Sequence, residues 1–153
     1  MIEVTGNLWD YPADIRVITT NGFVTKAGDC VMGRGCALEA TKRYPGVKKM
    51  LGTLITEHGN HCFLIFRGNP LVLQAPLVSF PVKHKWFQKA DLDLIRRSAE
   101  ELVILADNQA WIDRWKKVVL PRPGCGNGQL KWEDVKLVLN PILDDRFHVI
   151  TFK

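Results

Sequence analysis

Twice in this chain an apolar, β-branched run leads into a glycine-rich turn and then into a helix-forming stretch. The first run is Ile15-Arg-Val-Ile-Thr-Thr20, ending in Asn21-Gly22, and the turn that follows it is Cys30-Val-Met-Gly-Arg-Gly-Cys-Ala-Leu38. The second run is Lys117–Leu120, and its turn is Pro123-Gly-Cys-Gly-Asn-Gly128, ahead of Trp132. Strands that alternate with helices in this way pack as an α/β domain, with helices covering the sheet. A glycine-rich turn that opens a helix also exposes backbone N–H groups where the helix dipole is positive, which makes an anion site. Two phosphate-sized cradles point to a ligand with two phosphates. The alternative for these glycines is tight-turn geometry alone.

The remaining segments fit the same plan. Met1–Val4 reads as an edge strand, and Gly6-Asn7-Leu8 turns the chain after it. Gly35–Arg43 is a helix stopped by Tyr44-Pro45-Gly46. Val47–His58 is a second helix, with Val47, Met50, Leu51, Leu54 and Ile55 on one stripe. Cys62–Phe66 is an apolar strand that Gly68-Asn69-Pro70 turns back into Leu71–Gln74, as a hairpin. Leu77–Val82 is the next strand, with Lys83-His-Lys-Trp86 at its carboxyl end. Asp91–Asp107 is the longest helix, buried through Leu92, Ile95, Ala99, Leu102, Val103 and Ala106. Trp132–Leu143 is the last helix and Phe147–Phe152 the last strand. The expectation is one domain over residues 1–153, of three layers with a mixed sheet. Ligands in such sheets sit at the carboxyl ends of the strands.

Composition narrows the chemistry. Lys+Arg 21 against Asp+Glu 16 gives a net charge of +5, which suits an anionic ligand or nucleic acid, or simply a basic surface. Cys30, Cys36, Cys62 and Cys125 show no paired spacing and read as reduced thiols. His58 and His61 beside Cys62 match no zinc pattern, so neither a metal nor a cofactor is expected. The amino terminus has no signal-peptide pattern, and no apolar run approaches the ~18 residues of a membrane span. The reading is of a cytoplasmic protein with no membrane association. Nothing marks an obligate oligomer, and a monomer is expected.

With its pieces in order, the chain resembles a macro domain, the ADP-ribose-binding fold. The motifs that carry the resemblance are Gly6-Asn7-Leu8 and the strand ending at Asn21, then Val31-Met32-Gly33-Arg34-Gly35, then Phe80-Pro81-Val82-Lys83. Gly124-Cys-Gly-Asn-Gly128 with Trp132-Glu-Asp-Val135 completes them. They are similar to those of the branch holding terminal ADP-ribose protein glycohydrolase and the DarG-type DNA ADP-ribosyl glycohydrolase antitoxins. The resemblance implies a three-layer α/β/α macro domain fold with a mixed central sheet. It implies that Asn7 and the backbone of Leu8 face the adenine. Val31, Met32, Gly33, Arg34, Gly35, Cys36 and Ala37 would hold the pyrophosphate together with Pro123, Gly124, Cys125, Gly126, Asn127 and Gly128. Asn21 would bond the distal ribose, and Lys83 would lie at its anomeric carbon as the catalytic lysine.

Backbone donors at two helix starts would neutralise the pyrophosphate, and a Cβ at the glycines would block close approach. Lys83 must be neutral to attack, so burial or a nearby positive charge must lower its ordinary pKa of ~10.4. His84 and Lys85 are candidate neighbours, although alternation points His84 to the other face. The alternative for Lys83 is a solvated lysine pairing with a phosphate. The protein glycohydrolase of the branch carries an aspartate where this chain has Asn127, whereas the DarG type carries asparagine. Gly22–Asp29 is longer than the family pattern; it could cover the distal ribose, and Asp29 could supply a carboxylate. Lys83-His-Lys-Trp-Phe-Gln-Lys89 mixes cations with aromatics, which suits single-stranded DNA. Alternatively Trp86 and Phe87 are packed, as Trp111, Trp115 and Trp132 are expected to be. The function implied is hydrolysis of ADP-ribose from a DNA base or a protein side chain. The competing readings are a non-catalytic ADP-ribose reader and an ADP-ribose 1″-phosphate phosphatase.

Overall fold

A computed structural model describes residues 1–69, 71, 74–108 and 115–152. The elements are β1 (Ile2–Thr5), β2 (Ile15–Asn21), α1 (Gly35–Arg43), α2 (Val47–His58) and β3 (Leu64–Phe66). They continue with β4 (Leu77–Lys83), α3 (Leu92–Asp107), β5 (Val118–Pro121), α4 (Trp132–Leu139) and β6 (Phe147–Thr151). The strands form one sheet in the order β1-β6-β5-β2-β4-β3. Every pair is parallel except β3 with β4, so the sheet is mixed, as expected.

Consecutive strand residues feed opposite cores. Val17, Val118 and Val149 face a cluster closed by Ile95, Leu102 and Leu139, from α3 and α4. Ile18, Val119 and Ile150 face a second cluster closed by Ala40, Val47 and Leu51, from α1 and α2. The central strands are therefore buried on both faces, which is why they read as largely apolar runs. The chain leaves β2 through α1 and α2 to reach β4 on one side, then returns through α3 to β5 on the other. β2 is thus the switch point of the sheet, and a crevice opens beyond its carboxyl end.

Three expectations need correction. Met50 is 41% exposed, because α2 turns Val47, Leu51, Gly52 and Ile55 inward instead. A Cβ at Gly52 would stand 2.0 Å from the carbonyl of Gly28, so the glycine sets the close docking of α2. α4 ends at Leu139 rather than Leu143, since Pro141 has no N–H with which to continue the helix. The antiparallel partner of β3 is β4, and among the described residues of the expected hairpin Asn69 and Gln74 make an isolated bridge. Residues 70, 72 and 73 of the expected hairpin, and Trp111, lie outside the described residues. Trp115 is buried, and Trp132 is half-buried with its indole N–H donated to Glu3 Oε1 at 2.8 Å. No described helix is long and apolar enough to cross a membrane.

Candidate functional site

The crevice is a cleft of about 650 Å³ at the carboxyl ends of β5, β2 and β4. Its walls include Asn21, Lys83 and most of both glycine-rich loops. A bulge makes this meeting possible. β2 and β4 pair Thr20 with Pro81 and then Asn21 with Lys83, so Val82 is an extra residue on β4. Proline donates nothing to a ladder, and a one-residue slip exchanges the faces of every later side chain. The slip sets Lys83 directly beside Asn21. The carbonyl left at Pro81 accepts the buried hydroxyl of Ser98, on α3, at 2.7 Å.

The first loop runs directly into α1. No side chain caps the helix, its first turn holds no acidic residue, and Lys42 and Arg43 complement the dipole at the far end. Among the described residues, nothing accepts a hydrogen bond from the N–H of Gly33, Gly35, Cys36 or Ala37. Orphan donors in the wall of a cleft are what an anion requires. Asn21 fixes the loop: its Nδ2 donates to the Val31 carbonyl at 2.9 Å, and its Oδ1 accepts from Phe23 N–H at 2.9 Å. One amide hydrogen of Asn21 then remains for a ligand.

The second loop is built differently. It ends four residues before α4, whose first turn already carries Glu133 and Asp134, so it is not the helix start expected from the sequence. Its donors belong to the loop itself. The carbonyls of Gly124, Gly126 and Gly128 accept from Leu130, Gln129 and Ala90. The N–H groups of Gly126, Asn127 and Gly128 have no acceptor among the described residues. Gln129, beside them, sits in the left-handed region at φ 65 and lines the cleft. The two loops come close: an added Cβ on Gly35 would stand 3.4 Å from Asn127 Nδ2.

The glycines themselves divide into two kinds. A Cβ at Gly128 would lie 2.5 Å from the Gly124 carbonyl oxygen, and one at Gly124 would lie 2.9 Å from Ile95. Packing therefore requires both. At Gly33 and Gly126 nothing stands within 4 Å of an added Cβ and φ is not left-handed, yet both line the cleft. Neither packing nor backbone conformation accounts for glycine at these two positions.

Lys83 bridges the halves of the site. Its Nζ donates to the carbonyl of Asn127 at 3.1 Å and to that of Trp86 at 3.4 Å. Partial burial, and then the positive charge of Arg34, hold its pKa below the ordinary lysine value. His84 does not contribute; it turns away and lies 3.0 Å from Asp91, whose carboxyl it lowers. Asn60 donates to the Lys83 carbonyl at 3.0 Å and anchors the strand end. All four cysteines are free, and burial pushes the Cys30 thiol up to about 12 and the Cys125 thiol up to about 11. Burial likewise raises Cys36, beside Thr19 Oγ1.

Four expected residues are not in the walls of the cleft. Asn7 and Leu8 do not line the cleft: Asn7 caps its own turn through Trp9 N–H at 2.8 Å, and Leu8 is buried. Pro123 and Cys125 are also outside its walls. Gly22–Asp29 does not cover the cleft, because it is tied to α2. Lys49 reaches the Ala27 carbonyl and lies 3.6 Å from Asp29, while Cys30 N–H donates to Lys48. Asp29 is thereby committed to an ion pair away from Lys83. His61 Nδ1 lies 2.6 Å from Glu101, and no group of three metal-ligating side chains is found among the described residues. Trp86 and Phe87, for which packing was the alternative, are instead exposed and line the cleft with Gln88 and Arg122. The cation–aromatic mixture of the sequence was the signal for them; Arg122 had none.

No protein-family model matches the chain. It is 28% identical over 145 residues to a DNA ADP-ribosyl glycohydrolase of Thermus aquaticus, a match covering 92% of this chain. The chain spans 37% of that relative's length. In three dimensions it is similar to the macrodomain of Thermus aquaticus DarG, with a TM-score of 0.79 and 25% identity over 99% of this chain and 97% of that one. Its fold is also that of Thermosipho africanus DarTG in complex with ADP-ribose, at a TM-score of 0.77 and 16% identity, covering 99% of this chain and 42% of that one.

Proposed function

We propose that this chain, a macro domain similar to that of Thermus aquaticus DarG, binds ADP-ribose and hydrolyses it from a modified DNA base. The observation that carries the reading is the meeting of two loops with unpartnered N–H groups around one lysine. A pyrophosphate laid between the loops satisfies those donors without moving a side chain, and electrostatic stabilisation of this preorganised kind is strong. The volume of the cleft suits a ligand of nucleotide size. The names of the Thermus relative and the Thermosipho complex support the choice of ADP-ribose.

In this reading Lys83 is the nucleophile. Its neutral amine, favoured by burial and Arg34, adds to the anomeric carbon of the distal ribose. The bond from that carbon to the base nitrogen breaks, and the nitrogen departs with a proton. The opened sugar is held as a Schiff base on Nζ, and water then frees ADP-ribose and restores the amine. One water is consumed for each base released. The remaining amide hydrogen of Asn21, the cross-strand neighbour of Lys83, orients the ribose.

The test is a turnover screen of wild type and Lys83→Ala against ADP-ribosylated single-stranded DNA, ADP-ribosylated protein and ADP-ribose 1″-phosphate. We expect release from the DNA to fall about 10³-fold or more in the variant, with ADP-ribose binding retained by calorimetry. Unchanged release in the variant removes the nucleophile. Binding without release in the wild type leaves a reader.

A further inference from the structure

We propose that the Trp86–Phe87 pair is a stacking shelf for the nucleotide adjoining the modified base in single-stranded DNA. The inference rests on the reading of the cleft as an ADP-ribosyl glycohydrolase site, and adds to it where the rest of the strand lies.

The shelf stands on a short turn between β4 and the cap of α3. Lys85 N–H donates to Gln88 Oε1 and Gln88 N–H to the Lys85 carbonyl, both at 3.1 Å, while Ala90 N–H is held by Gly128 in the second loop. At the tip of this turn Trp86 is 49% and Phe87 60% exposed. Two adjacent aromatic rings left in water at the mouth of a cleft are unusual for side chains of this size. They meet edge to face, with centroids 5.4 Å apart and planes at 87°, and their exposure leaves ring surface open to a flat partner.

Position selects the partner. The Trp86 carbonyl is 3.4 Å from Lys83 Nζ, so the shelf adjoins the group assigned to the anomeric carbon. The acceptor departs from that carbon, which places the acceptor beside the shelf. Charge selects it as well. Lys85 Nζ lies 5.9 Å from the centroid of the Phe87 ring, Lys89 is exposed on the same turn, and Arg34 lines the cleft. The turn carries no carboxylate before Asp91, and that one is paired with His84. Ring faces interleaved with cations take successive bases and phosphates of a single strand. A duplex would keep the modified base stacked and out of reach of the cleft.

The experiment compares two probes in the Lys83→Ala background, where neither should turn over. One is a short single-stranded oligonucleotide with one ADP-ribosylated base; the other is the corresponding ADP-ribosylated mononucleoside. We expect the oligonucleotide to bind about tenfold or more tightly, since each stacked base contributes on that order. Trp86→Ala with Phe87→Ala should bring the affinities of the oligonucleotide and the mononucleoside together, while Trp86→Phe keeps most of the preference. Both side chains are exposed, so circular dichroism melts of these variants should match their parent. The proposal is overturned if the parent shows no preference, or if the preference survives the double substitution. An equal preference for an ADP-ribosylated peptide overturns it too. If the unsubstituted protein releases no ADP-ribose while the preference and its loss are observed, the hydrolase reading fails and the shelf stands.

Discussion

The two glycine-rich loops look alike in sequence and are physically different. The first is a helix start: α1 offers uncapped N–H groups and an unopposed positive dipole, and Asn21 pins the loop to β2. The second is a folded loop set back from a helix whose first turn is already acidic, and it holds its shape by packing Gly124 and Gly128 against itself and α3. One cradle owes its donors to regular structure and the other to tight packing. The same residue type therefore has two jobs, and substitution can separate them.

The strongest way to break the comparison is to fill the packed glycines. Gly128→Ala drives a Cβ against backbone and Gly124→Ala adds a left-handed φ of +74, so each should destabilise the fold by about 1–3 kcal/mol. Thermal melts should show a drop of about 2–10 °C. Unchanged melting would mean that the second loop is not shaped by packing.

Filling the open glycines should do the reverse. Gly33→Ala and Gly126→Ala meet nothing within 4 Å, so stability should stay within about 0.5 kcal/mol of wild type. ADP-ribose affinity should nevertheless fall about tenfold, because a methyl group between amide and phosphate costs hydrogen bonds to a charged group. Calorimetry on both variants sharpens the contrast. If they bind as wild type does, the glycines serve the turns alone.

A smaller effect tests how the first loop acts on Lys83. In the proposed mechanism the amine reacts when neutral, so the rate should rise with pH and level off above a lysine pKa lowered by burial and by Arg34. Arg34→Gln removes a positive neighbour and raises that pKa. The rising limb of the kcat profile should then move to higher pH, and the rate at neutral pH should fall. A limb that stays in place would exclude Arg34 as the tuning charge.

Local signals in the sequence carried the reading as far as local physics reaches. Tyr44-Pro45-Gly46 separates α1 from α2, so the break between the two helices was legible, and the β-branched runs marked the buried strands. What escaped the reading depends on residues distant in the chain. The bulge at Val82 exists only in the pairing of β2 with β4, and it sets Lys83 beside Asn21. The docking of Gly22–Asp29 on α2 depends on Gly52 meeting Gly28. The exposure of Trp86 and Phe87 could not be told from packing by composition. Nor could the split among the glycines, which only the neighbours of a missing Cβ reveal.

The central claim is that both loops close on one ADP-ribose. Its most direct test is an amide chemical-shift titration of the 15N-labelled protein with ADP-ribose. The account predicts that the amides of Gly33, Gly35 and Cys36 move together with those of Gly126, Asn127 and Gly128 along one saturation curve. A response confined to one loop, or two loops saturating at different concentrations, would contradict it.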